Sequence, residues 1–209
     1  MSMKLKVTNT RVGFANGLFK ARAMEEGQQA KYGADFILGP DSKVFKQVEK
    51  DGTKTWVETT MKEAQLAVAN EAWKGKGADV IEDLEGSKKS YRNGNKRKNK
   101  DGEIYEGYED AWYVTAKSAT KPKLFDRRPK NADGSENLVT EESGIIYSGC
   151  YVNVTFDLYA NTQAKNKGIF AGLTGAQFVK DGDSFGGGGS AKADDFDDLG
   201  DGADADDMS

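Results

Sequence analysis

Over residues 150–159 the chain alternates strictly. Cys150, Val152, Val154, Phe156 and Leu158 are apolar, and Tyr151, Asn153, Thr155, Asp157 and Tyr159 lie between them. A period of two is that of a β-strand with one buried and one wet face. Ten residues of it commit the chain to a sheet packed on one side. Residues 112–117 repeat the pattern, with Trp112, Val114 and Ala116 expected inward and Tyr113, Thr115 and Lys117 outward. Residues 32–38 give a third strand, with Ala34, Phe36 and Leu38 on one side and a stop at Gly39-Pro40. Residues 4–24 offer two strands broken near Asn16-Gly17. Residues 169–179 read as a last strand, in which Gly172 and Gly175 suit a bulge or a sharp bend.

One helix is expected. Thr60-Met61-Lys62-Glu63 fits a capping box, after which Met61, Ala64, Val68 and Ala72 recur at helical spacing until Gly75 and Gly77. The whole predicts a mainly β chain: an OB-fold-like curved β-barrel with one helix and a long basic loop insertion over about 75–110.

The stretch after residue 180 is not expected to join that core. Residues 181–209 hold ten Asp and one Lys, a net charge of -9, and include Gly186-Gly187-Gly188-Gly189-Ser190. Such a composition predicts a Gly-rich linker and an acidic disordered tail, leaving 1–180 as the folded domain. Phe196 and Leu199, apolar among aspartates, suit docking into a basic-rimmed apolar groove on a partner; a purely solvating tail is the plainer alternative. A calcium loop would require a closing Glu, and the tail has none. Of the 30 basic and 34 acidic residues, 29 and 24 fall in 1–180, so a body of net +5 carries the acidic tail.

The chain has no histidine and a single cysteine, Cys150. An internal disulfide and a Cys/His zinc site are therefore excluded, and the commonest general base is missing. No cofactor is expected. No apolar run approaches the roughly 20 residues needed to cross a bilayer, so no membrane partner is expected and a cytoplasmic location follows.

Residues 87–100 carry seven cations and no acid: Lys88, Lys89, Arg92, Lys96, Arg97, Lys98 and Lys100, with Tyr91 among them. This reads as a mobile loop suited to a phosphate backbone, since each neutralised phosphate releases condensed counterions. A loop balanced by Glu103, Glu106, Glu109 and Asp110 is the alternative. A second basic stretch holds Lys117, Lys121, Lys123, Arg127, Arg128 and Lys130 around Phe125. Rings beside cations on an open sheet face are what binding of unpaired bases requires, because bases stack on the rings while cations follow the backbone. Tyr91, Tyr105, Tyr108, Tyr113 and Tyr151 are the candidate rings. No P-loop or dinucleotide-binding fingerprint is present.

The order of these pieces resembles the phage single-stranded-DNA-binding proteins of the OB-fold type. The resemblance is carried by residues 32–38 before Gly39-Pro40, the helix, residues 112–117, Gly149-Cys150-Tyr151-Val152-Asn153-Val154-Thr155-Phe156, and 178–188 before the acidic residues. It implies a non-catalytic binder of single-stranded DNA with little sequence preference, acting in the host cytoplasm. It also implies a tail that recruits replication or recombination proteins; homo-oligomerisation is left open. The tail differs from the bacterial form in ending Asp206-Asp207-Met208-Ser209 without a terminal aromatic. A carboxylate-dependent nuclease and a virion structural or assembly protein are the rival readings.

Overall fold

Alternating strands dominate the fold, and each closes its backbone hydrogen bonds on a neighbour. The computed structural model describes residues 2–23, 27 and 29–185. In chain order these form β1 (Ser2–Gly13), α1 (Asn16–Phe19), β2 (Tyr32–Lys50), β3 (Thr53–Thr59), α2 (Met61–Ala72), α3 (Gly77–Asp83), β4 (Tyr91–Asn93), β5 (Trp112–Ser118), β6 (Lys123–Lys130), β7 (Glu136–Leu138), β8 (Tyr151–Asn161) and β9 (Gly168–Lys180). The sheet order is β4-β5-β2-β1-β8-β9-β6-β7, with β3 paired to β2. β5 also meets β9 in a short parallel contact, Ala116 to Ala171 and Lys117 to Gly172. The pairings thus lead from β1 through β2, β5, β9 and β8 back to β1. The protein is mainly β, a curved sheet with few helices.

The alternation expected over residues 150–159 holds: Cys150, Val152, Val154, Phe156 and Leu158 are buried and their neighbours are not. They meet Leu5, Val7, Phe36, Val114 and Ile169 in the main core. The capping box is also present, with Thr60 Oγ1 accepting from Glu63 N and Glu63 Oε2 accepting from Thr60 N. α2 lays Met61, Ala64, Val68 and Ala69 against β8 and β1. In β9 the register slips so that Thr174 is the extra residue between Gly172 and Gly175, the bulge that the two glycines predict. A side chain at 175 would stand 2.7 Å from the Lys123 carbonyl oxygen, so β6 approaches there because the residue is glycine.

Four expectations need correction. The single helix becomes three among the described residues, because α3 starts without a side-chain cap and gives no capping signal. Residues 4–24 do not hold two strands: β1 is continuous to Gly13, and Asn16-Gly17 begins α1. β2 runs straight through Gly39-Pro40. Residues 39–42 are where β2 exchanges β5, paired as far as Leu38, for β3, paired from Val44, so Pro40 removes no ladder bond. Ser42 fastens this bulge, its hydroxyl accepting from Gly39 N and donating to Asn9 O. Finally, residues 87–100 are no bare loop. They contain β4, which pairs with β5, and three of their seven cations reach inward.

Candidate nucleic-acid interface

Sheet alternation sends Asp35 and Ile37 of β2, and Tyr113 and Thr115 of β5, to the face opposite the main core. That face is not bare. Residues 94–111 fold over it, and Tyr108 beneath them forms a second small core with Ile37 and Tyr113. Asp35, only 2% exposed, is the hub. Its carboxylate accepts from the Tyr108 hydroxyl at 2.9 Å, from Thr115 Oγ1, and from Arg97 Nε at 3.2 Å, and Arg97 Nη2 makes an ion pair at 3.2 Å. Arg92 donates in turn to Thr115 Oγ1 and lies 5.0 Å from the Tyr113 ring centroid. Burial, reinforced by the Asp35 charge, pushes the Tyr108 phenol far above its ordinary value, so it stays a donor.

Outside this hub lies a run of rings and guanidinium groups. Phe14 takes a left-handed backbone, φ 60°, and turns its ring outward, 41% exposed. It meets Tyr105 edge-on, centroids 5.1 Å apart, and Arg97 stands 4.8 Å above it. A cavity of about 220 Å³ continues from there, lined chiefly by Phe14, Tyr105, Tyr108 and Phe185. Arg11 closes the far end. It donates to Gly149 O and Asp183 O, and its guanidinium lies 4.2 Å from the Phe185 ring and 5.5 Å from that of Tyr151. Lys180 stands 4.6 Å over the same Tyr151 ring. Residues 181–185, expected to begin the linker, are therefore held on this face; the Tyr147 hydroxyl also donates to Gly182 O.

The expected residues divide. Arg92, Arg97, Tyr105, Tyr113, Lys117 and Tyr151 share this face. Tyr113 is on the predicted side of β5 but is not wet: at 2% exposure it is covered by Tyr108, edge-on at 5.1 Å. Lys117 is exposed. Partial desolvation, with the Arg92 and Lys31 cations, pulls its ammonium below the ordinary value, and Asp35 offsets this in part. Lys96, Lys98 and Lys100 belong to the covering stretch 94–111 and Lys88 precedes β4; none of the four has an ammonium partner among the described residues. Tyr91 faces the other side of β4 and stacks on Trp112, which was expected inside and is 38% exposed. Lys89 is there too, donating to Ile81 O at 2.8 Å. Lys123, Arg127 and Arg128 lie on β6, separated from the strand of Tyr151 by β9, and Lys123 is paired with Glu136 at 2.7 Å. Phe196 and Leu199 fall outside the described residues.

Arg11, Phe14, Lys180 and Phe185 were missed. Arg11 was findable: it is wet in the alternation of β1 and sits directly opposite Tyr151. Phe14 and Phe185 gave no periodic signal. Among the described residues no three acidic or cysteine side chains gather as metal ligands. Burial pushes the Cys150 thiol up to about 11, so it is inert at neutral pH.

The sequence profile of the family described as Enterobacter phage Enc34, ssDNA-binding protein, matches residues 3–209, and the chain belongs to that family. Protein p50 of Acyrthosiphon pisum secondary endosymbiont phage 1 is 32% identical over 200 residues, covering 94% of each chain. Two solved structures share the fold. The single-stranded DNA-binding protein from bacteriophage Enc34 in complex with ssDNA aligns with a TM-score of 0.60 at 19% identity, over 88% of this chain and 89% of that one. The same phage protein without DNA gives 0.59 at 18% identity, over 93% and 90%.

Proposed function

We propose that this protein binds single-stranded DNA, with little sequence preference, across the outer face that runs from Arg97 and Phe14 to Arg11 and Tyr151. The observation that carries the reading is the interleaving of guanidinium groups and rings on that face, in a chain of this family. Bases stack on Phe14, Tyr105 and Tyr151, while Arg11, Lys117 and Lys180, with Lys88, Lys96, Lys98 and Lys100, take phosphates. Lys117 sits among like charges, and an arriving phosphate relieves that repulsion. The ring of pairings β1–β2–β5–β9–β8 supports an OB-fold barrel, with residues about 75–110 as its insertion. Such binding keeps exposed strands covered during phage replication, recombination or repair, in the host cytoplasm.

The test is a titration of a labelled oligothymidylate against a duplex of equal length at moderate salt. The reading expects tight binding of the first only. Absence of both would favour a virion role, and magnesium-dependent cleavage would favour a nuclease.

Tyr151→Ala is expected to weaken single-strand binding by ~1–2 kcal/mol, the lower part of the range for a stacked base, because Lys180 and Arg11 already cover the ring. The ring is only half-buried, so the melting temperature should barely move. A large drop on calorimetry would instead make Tyr151 part of the core.

Phe185, beside Arg11, precedes the acidic stretch in sequence, which supports that stretch competing with DNA for the same cations. Deleting 190–209 should raise affinity severalfold at low salt and by less at high salt. Replacing only Phe196 and Leu199 with Ala should abolish capture of replication or recombination partners and leave DNA affinity near that of the intact chain. Pull-downs beside titrations at two salt concentrations check both. Unaltered affinity after truncation would remove the tail from the groove, and retained partners would leave it a solubilising appendage.

A further inference from the structure

Behind β4, on the side away from Arg92, a cavity of about 270 Å³ opens between α2, α3 and the start of β5, lined by Lys62, Gln65, Ile81, Lys89, Tyr91 and Trp112. Tyr91 and Trp112 form its flat wall, stacked with centroids 4.8 Å apart and planes at 28°. The indole keeps 38% of its surface exposed, and Lys62 Nζ stands 5.6 Å from its centroid. Gln65 is 5% exposed, and its Nε2 has no hydrogen-bond partner among the described residues. None of the six lining residues is acidic.

This combination selects among ligands. An apolar side chain from a protein partner would leave the buried amide unpaired and two ammonium groups without an anion. A nucleotide answers all three: a flat ring for the indole, base-edge polar atoms for the amide, and phosphates for the lysines. The route is short. β4 is a three-residue strand at the edge of the sheet, so Tyr91 and Arg92 are adjacent in sequence and point to opposite sides. A DNA strand that follows the outer face past Arg92 crosses this edge and delivers its next nucleotide behind it.

We propose that this cavity is a second, single-nucleotide subsite. One unpaired base stacks on Trp112 and hydrogen-bonds the Gln65 amide, and the adjoining phosphates pair with Lys62 and Lys89. The subsite rests on the single-strand-binding reading and extends it to a face the sheet hides from Tyr151.

The test uses the full chain and oligothymidylates of about 4 and about 16 nucleotides, spanning the site sizes of such domains. Each carries one 5-iododeoxyuridine for photo-crosslinking and peptide mapping. The long oligonucleotide should crosslink to the peptide holding Tyr91 or Trp112, and the short one to the outer face alone. Trp112→Leu with Lys62→Ala should cost about tenfold in affinity for the long oligonucleotide and leave the short one unchanged. If the double variant loses thermal stability, the crosslink position in the unaltered chain decides. Crosslinks confined to the outer face at both lengths, with the double variant binding like the parent, would overturn the subsite and leave DNA binding standing. Failure of both lengths to bind would overturn the parent reading and the subsite together.

Discussion

Asp35→Ala should cost about 3 kcal/mol of stability, the low end of the penalty for breaking a buried ion pair. The low end applies because the Arg97 side chain keeps 36% of its surface in water while that of Asp35 keeps 2%. The substitution strands three donors at once: the buried Tyr108 hydroxyl, Thr115 Oγ1 and the inner edge of Arg97. For a domain of this size the loss corresponds to roughly 6–12 °C in melting temperature. Affinity for single-stranded DNA should fall with it, because Arg97 is no longer held over Phe14 and residues 94–111 lose their anchor on the sheet. Asp35→Asn keeps an acceptor for Tyr108 without the charge and should fall between. Calorimetry beside titration reads both effects. A melting temperature within 2 °C of the parent would mean that the covering segment is held by its apolar contacts alone.

The second large effect is electrostatic. Replacing Lys88, Lys96, Lys98 and Lys100 together with Gln should make the log–log dependence of affinity on salt shallower by about 2.8, at about 0.7 per single-strand phosphate contact. Between 50 and 200 mM salt those four contacts would account for about a 50-fold loss in the parent. The choice of residues follows from the structure. Arg97 and Arg92 are in the same basic run, but one pairs with Asp35 and the other bonds Thr115, so their removal confounds binding with folding. The four lysines have no ammonium partner among the described residues, and the quadruple variant should melt as the parent does. An unchanged slope would return the run to a solvated loop balanced by its neighbouring acids.

Local patterns in the sequence were legible where a single element decides them. The burial of β8 followed from its period, and the start of α2 from Thr60 and Glu63. The bulge in β9 followed from its paired glycines. What was not legible depends on residues far apart in the chain. Asp35 stands between Ala34 and Phe36 in the alternation of its strand, and nothing near it announces Tyr108, Arg97 or Thr115, which lie 62 to 80 residues away. The alternation places Tyr113 on the right side of β5 but not beneath its cover, because the covering segment is supplied by a different part of the chain. Pro40 looked like a strand terminator because the rule against proline concerns ladder bonds, and at residues 39–42 β2 has none to lose. The candidate face shows the same division: its cations were visible as a run, but the pairing of Arg11 with Tyr151 and the return of Phe185 were not.

Amide hydrogen exchange reads where along the chain the DNA lies. The full chain is compared alone, with a saturating oligothymidylate, and with a duplex of equal length at the same salt concentration. Slowed exchange is expected in residues 94–118, 147–151 and 181–185 with the single strand, and little change with the duplex. Protection confined to β6 and β7, or equal protection by the duplex, would contradict single-strand binding across this face.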